Sequence, residues 1–238
     1  MQGHGRSLVV LPILVAFSLS SAPARGQPLI QNPALPAEES AVYTEKVGDD
    51  SWTVTQTLAL KTENGESWYE FRSSSPQSEV SIRLDPSTLF ARESEVITKT
   101  GDSVIRRTTE ILKASPQPKP NELVFADFNS LPVTVRGLPW GTFTTLNLVA
   151  LGASSRGQQF SFQLTVIGRE KVSAGGKTYD CWKAQIGLGG IMGAFFGKTL
   201  YWISADAGHF LVKSEGPSGG PGSPKQVVEL QSYSARGA

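Results

Sequence analysis

Alternation with a period of two is the dominant pattern in this chain. Trp52, Val54, Gln56, Leu58 and Leu60 alternate with Ser51, Thr53, Thr55, Thr57 and Ala59. The β-branched content of the run suits a pleated, half-buried strand. Glu63-Asn64-Gly65-Glu66 follows. Asn-Gly readily supplies the two left-handed residues of a tight hairpin turn, so Ser67–Ser73 reads as the return strand. Further strands are predicted over Glu79–Leu84, Thr88–Thr100 and Ser103–Lys113, the last two joined at Gly101-Asp102. Later ones fall over Thr142–Leu151 and Gln159–Gly168, with Lys171–Ala174 leading into a Gly175-Gly176 turn.

The last third carries the densest pattern. Asp180, Trp182, Ala184 and Ile186 share one face of a strand, and Tyr179, Cys181, Lys183 and Gln185 the other. Leu200, Trp202 and Ser204 oppose Tyr201 and Ile203. Ala205-Asp206-Ala207-Gly208 reads as a turn with Gly208 at positive φ, His209–Glu215 as the return, and Gln226–Ser234 as a closing strand. Ala41–Asp50 fits either a first strand or a short helix, and Phe125–Leu131 a short helix or turn over one end of the sheet. Ten to twelve strands with short turns imply an antiparallel sheet. So many strands must curl, which predicts an all-β fold: a strongly curved antiparallel sheet forming a half-barrel or barrel, with at most one or two short helices.

Composition places this domain. The chain has 238 residues, a formal net charge of +1 and 39% hydrophobic residues. That is enough for a real core and gives no global field to recruit nucleic acid. Leu8–Leu19 is an apolar run behind Arg6, followed by Ser20, Ser21, Ala22, Ala24 and Gly26. This is the layout of a cleaved signal peptide (1–26), too short to span a bilayer comfortably, and no cysteine stands near the cleavage region for lipid attachment. A Pro-rich lead-in (27–40) and a single β domain (41–238) with a Pro-rich loop at 114–120 complete the scheme. Cys181 is the one cysteine, so an internal disulfide is excluded. The expected location is periplasmic or secreted, with no transmembrane span after processing.

Several landmarks resemble a bacterial envelope family known as DUF3108. They are Gly176 with Tyr179, then Tyr201-Trp202-Ile203-Ser204, Asp206, the strand from His209 to Lys213, and Glu229-Leu230. Leu84-Asp85-Pro86-Ser87-Thr88-Leu89 and Arg136-Gly137-Leu138-Pro139 fit upstream. The resemblance covers roughly Trp52–Tyr233 and implies an all-β protein of the cell envelope with no assigned activity. It supplies no catalytic residues.

Candidate chemistry is sparse. After processing, His209 and Cys181 are the only His and Cys, which is poor provision for zinc, and the acidic pairs Glu38-Glu39 and Asp49-Asp50 lack calcium-loop spacing and read as solvated. No Gly-x-Ser-x-Gly elbow is present. Cys181 with His209, or a carboxylate pair drawn from Asp180, Asp206, Glu215 and Glu229, are the remaining catalytic options; no spacing fixes either. No cofactor is expected. The glycine-rich stretch 187–197 carries Ile191, Met192, Phe195 and Phe196 and reads either as core or as an apolar flap over a cavity. With Trp182 and Trp202 these four form the expected ligand-binding set. The expected function is non-enzymatic: binding of an apolar or amphipathic ligand, or of an envelope protein partner, on the curved sheet. A structural or assembly factor, and a hydrolase using a carboxylate pair, stand as alternatives. Arg106-Arg107 is an isolated basic pair without interleaved aromatics, so nucleic acid is not an expected partner.

Overall fold

The computed structural model describes residues 30, 35–100, 103–111, 119, 121–126, 128–151, 159–188, 197–219 and 222–237, by backbone alone at 107–111 and 159. Among these residues, thirteen strands form one sheet. In chain order they are β1 (Glu38–Val47), β2 (Asp50–Glu63), β3 (Glu66–Ser74), β4 (Ser78–Leu84), β5 (Ala91–Thr100), β6 (Ser103–Ile111) and β7 (Glu122–Phe125). After a helical segment come β8 (Thr145–Leu151), β9 (Gln159–Ala174), β10 (Lys177–Leu188), β11 (Thr199–Ser204), β12 (Leu211–Pro217) and β13 (Lys225–Arg236).

The order across the sheet is β6-β5-β4-β3-β2-β1-β13-β12-β11-β10-β9-β8-β7. Two meanders therefore meet where the first strand pairs with the last, from Glu38 opposite Arg236 to Val47 opposite Gln226. Pairing is antiparallel throughout except between β7 and β8, whose parallel register runs from Glu122–Asn147 to Phe125–Ala150. A parallel pair needs a long crossover. Here it carries the helical segment Phe128–Gly137, one α-helical turn, α1 (Leu131–Thr134), flanked by 3-10 turns.

Local sequence explains the hairpins. Asn64 and Gly65 take φ of 52° and 81° between β2 and β3, and Gly175 and Gly176 take 55° and 72° between β9 and β10, as type I′ turns require. At the β11–β12 connection the left-handed residue is His209 (φ 45°), not Gly208. The first strand takes in Glu38, Glu39 and Ser40, residues the sequence reading left in the lead-in, and Leu35 just before it is buried. Residues 159–174 form one continuous strand; a bulge where Lys183 pairs Gly168 and Ala184 pairs Val166 absorbs the break in pattern.

Curvature is strong. The tip of the β9–β10 hairpin reaches β13, four strands away in the sheet, so closely that a Cβ on Gly175 would lie 2.1 Å from the Gln231 carbonyl oxygen. The helical segment occupies the concave side. Pro132, Val133 and Arg136 adjoin Tyr43 of β1, Gln56 of β2, Phe71 of β3, Leu211 of β12 and Tyr233 of β13. Leu131, Val133, Val135 and Leu138 are all buried there. Thr134 donates to the Leu89 carbonyl at 3.1 Å, and Trp140 Nε1 donates to the Val135 carbonyl at 3.0 Å. The short helix expected over Phe125–Leu131 lies a few residues later, and its partners stand at one end of the sheet: Glu39 at the start of β1, Leu89 between β4 and β5, and Gly208 between β11 and β12.

Candidate functional site

Arg136 lies between the start of β1 and the β11–β12 turn. It is the single charged residue between Asp127 and Arg156 in the sequence, and its side chain is 3% exposed. Nε donates to the Gly208 carbonyl at 2.7 Å, and Nη2 donates to Glu39 Oε2 at 2.8 Å while Nη1 donates to Oε1, a bidentate pair. Tyr233 donates its hydroxyl to Glu39 Oε2 at 2.9 Å and stacks on Phe210 with ring centroids 3.9 Å apart. Tyr179 meets Phe210 edge-on, and Tyr43 donates to the Leu211 carbonyl at 3.1 Å.

The electrostatics of this cluster agree with its geometry. Burial works against the charged guanidinium, but the hydrogen bonds and charge of Glu39 overcome it, so Arg136 holds its proton more tightly than a free arginine. Burial, with help from the Glu39 charge, pushes the Tyr233 hydroxyl up to about 12 and raises Tyr43 as well. One void beside these groups, lined by Tyr43, Phe71, Val133 and Arg136 among others, is about 20 Å³, room for about one water molecule. The sequence reading took Glu38-Glu39 as solvated; Glu39 is instead the buried counter-ion of Arg136. The sequence signal that could have found the pair is Arg136 itself, the single charged residue from 128 to 155.

Of the expected ligand-binding set, Trp182 and Trp202 lie on opposite faces. Trp202 pairs across the sheet with Lys183, the neighbour of Trp182, and facing alternates along a strand. Trp202 is buried on the outer, polar face beneath Lys183 and Lys213, whose ammonium groups sit 5.0 and 5.4 Å from its ring, and its Nε1 donates to Glu170. Trp182 is half-buried, with the Arg169 guanidinium 4.8 Å from its ring and its six-membered ring pressed against Gly141. They do not share a ligand wall. Ile191, Met192, Phe195 and Phe196 lie outside the described residues.

Several of the catalytic options have other partners. Cys181 is fully buried, and burial, reinforced by the charges of Asp180, Asp206 and Glu170, pushes its thiol up to about 12. His209 directs Nδ1 at the Ser204 carbonyl, 3.0 Å away, not at the thiol. Glu215 is engaged by Lys213 at 2.7 Å and Lys225 at 2.8 Å, and Asp180 pairs with Arg169. Among the described residues no group of three or more His, Cys, Asp and Glu side chains is placed to hold a metal ion, and no helix is long and apolar enough to cross a membrane.

Two clefts open at the rim. One, of about 310 Å³, is lined by Glu39, Ser40, Thr57, Leu58, Ser234 and Arg236 among others and so adjoins the Arg136–Glu39 pair; the second, of about 360 Å³, by Lys198, Leu200, Glu215, Pro217 and Lys225 among others. The sheet itself ends in two strands that do not pair with each other, β6 and β7. At β7 the edge is four residues long with Leu123 and Phe125 buried. β6 runs nine residues, and its described side chains, Ser103 to Arg106, are all exposed, with Val104 at 57% and Ile105 at 63%.

No family model and none of the curated proteins matches the chain. Among solved structures it is similar to a β-barrel-like protein of domain of unknown function DUF1849 from Brucella abortus, with a TM-score of 0.50 and 9% identity over 87% of this chain and 99% of that one. Weaker likenesses reach a DUF1329 family protein from Desulfovibrio piger (TM-score 0.33, 10% identity, 85% of this chain and 87% of that one) and the Pseudomonas aeruginosa MucA/MucB complex (TM-score 0.33, 12% identity, 84% of this chain and 53% of that one). At 9% identity the first likeness is one of fold: this chain is an open, barrel-like antiparallel β-sheet.

Proposed function

We propose that this protein is a non-enzymatic binding module of the bacterial cell envelope that recognises a protein partner through the surface of its open sheet. The observation that carries the reading is the segment Phe128–Gly137, which packs against both halves of the sheet and leaves a void of about 20 Å³ where Pro132, Val133 and Arg136 meet it. Expelling that segment would expose Leu131, Val133, Val135 and Leu138, each worth roughly 1.5–3 kcal/mol of burial, and would strand Arg136 from Glu39. The sheet meanwhile ends in an edge strand that adds no described side chain to the core. The signal-peptide-like N-terminus and the resemblance of the last third to DUF3108 support the envelope setting.

An amphipathic ligand remains the second reading, favoured by the apolar composition of 187–197 and by the cleft that holds Leu200 and Pro217. Titration of the purified protein with a fluorescent fatty acid separates the two. Partner recognition by the surface predicts no saturable binding at micromolar probe, and stoichiometric binding would overturn it.

A further inference from the structure

We infer that β6 is a docking edge for an extended polypeptide segment of acidic character, which adds to the sheet as a further strand beyond β6. This inference rests on the reading of the protein as a partner-binding module and names the class of partner.

A strand normally contributes one row of side chains to a core. The described part of β6 contributes none: Ser103, Val104, Ile105 and Arg106 are exposed, and two of them are β-branched apolar residues more than half accessible. What holds β6 is its ladder to β5, from Thr100 opposite Ser103 to Glu93 opposite Ile111. Among the described residues nothing pairs with its other edge, which offers backbone N–H and C=O groups over nine residues. Such an edge is a template for another strand, and adding a strand is a standard mode of peptide recognition. The opposite edge, β7, is less suited: it is four residues long and half of it is core.

Charge selects the occupant. Arg106 and Arg107 stand in mid-strand. A second copy pairing antiparallel about the middle of β6 would set arginine opposite arginine, and like charges directly opposite each other are destabilising. The pair thereby disfavours self-association while attracting a carboxylate-bearing strand; Val104 and Ile105 add apolar contact for the side chains between the acids. The register shift at Thr98/Lys99 leaves Ile105 as the extra residue of β6, a bulge that divides its ladder to β5 into Ser103–Val104 and Arg106–Ile111.

The test uses the purified full chain and three fluorescein-labelled nine-residue probes: alternating Val and Glu, alternating Val and Lys, and the Val/Glu peptide with every second amide N-methylated. Fluorescence anisotropy should show the acidic peptide binding at least ten-fold more tightly than the basic one, and N-methylation should weaken it ten-fold or more by removing backbone donors. The Arg106→Glu/Arg107→Glu variant, with an unchanged circular dichroism spectrum, should reverse the charge preference. Equal affinity for the two charges, indifference to N-methylation, or no binding of any probe would overturn the inference. A photo-crosslinking residue at position 105 and another at exposed Ile167 separate this from the broader reading. In cells, an envelope protein crosslinked only from position 167 would leave partner binding standing and remove β6 as its site.

Discussion

Glu39→Ala is the most informative single perturbation of the fold. It removes the counter-ion of a guanidinium whose side chain is 3% exposed and leaves Tyr233 without its acceptor. Breaking a buried ion pair by deleting one partner costs about 3–5 kcal/mol, because the remaining charge stays desolvated. In a domain of this size each kcal/mol shifts the melting temperature by about 2–4 °C, so the fall should be roughly 6–20 °C. Urea denaturation followed by tryptophan fluorescence, alongside calorimetry, measures both quantities. The Arg136→Met/Glu39→Leu/Tyr233→Phe variant removes the charges and the orphaned hydroxyl together and should recover most of the loss, since apolar replacement of a buried pair is often neutral. A cost below about 1 kcal/mol for Glu39→Ala, the size of a surface pair, would refute the placement of Arg136 in a sealed interior.

Three further outcomes follow from the structure. Cys181, buried and with its thiol pushed up to about 12, should resist maleimide labelling in the native protein at pH 8 and react only when urea unfolds it. Burial pushes the Asp85 carboxyl upward, but hydrogen bonds from Ser87, Thr88 and Arg92 outweigh it and hold the group well below the usual carboxylate range. Its stabilisation is therefore complete above the unfolded-state value near ~3.9 and is lost as pH falls toward the lower folded value, so Asp85→Asn should cost about 1–3 kcal/mol at pH 7 and progressively less in acid denaturation series below pH ~4. Gly175→Ala places a side chain at φ 55° with its Cβ 2.1 Å from the Gln231 carbonyl oxygen, and should destabilise by at least about 2 kcal/mol in the same urea assay, whereas Gly176→Ala meets open space and should cost less.

Local physics was legible in the sequence. The alternation around Trp52–Leu60, the Asn64-Gly65 and Gly175-Gly176 turns and the density of hairpins gave the antiparallel, curved sheet, because each depends on residues within a few positions of one another. Long-range relations were not legible. Nothing near Glu39 announces that β1 pairs with β13, or that Arg136, ninety-seven positions on, is its counter-ion. Trp202 reads as an apolar strand residue, yet lysines from neighbouring strands bury it on the outer face, a relation set by register between strands. Gly208 looked like the left-handed residue of its turn, but the backbone places that conformation one position later, at His209. Trp182 and Trp202 of the expected ligand set fall on opposite faces for the same reason: facing depends on pairing, and the two are offset by one residue.

The central claim is that the protein engages a polypeptide, not a lipid-like molecule held in its concavity. Native mass spectrometry of the protein isolated under gentle conditions from its own cells addresses it most directly. The account predicts the bare chain together with a complex containing a second polypeptide. A stoichiometric adduct of lipid-like mass, retained without any protein partner, would contradict it.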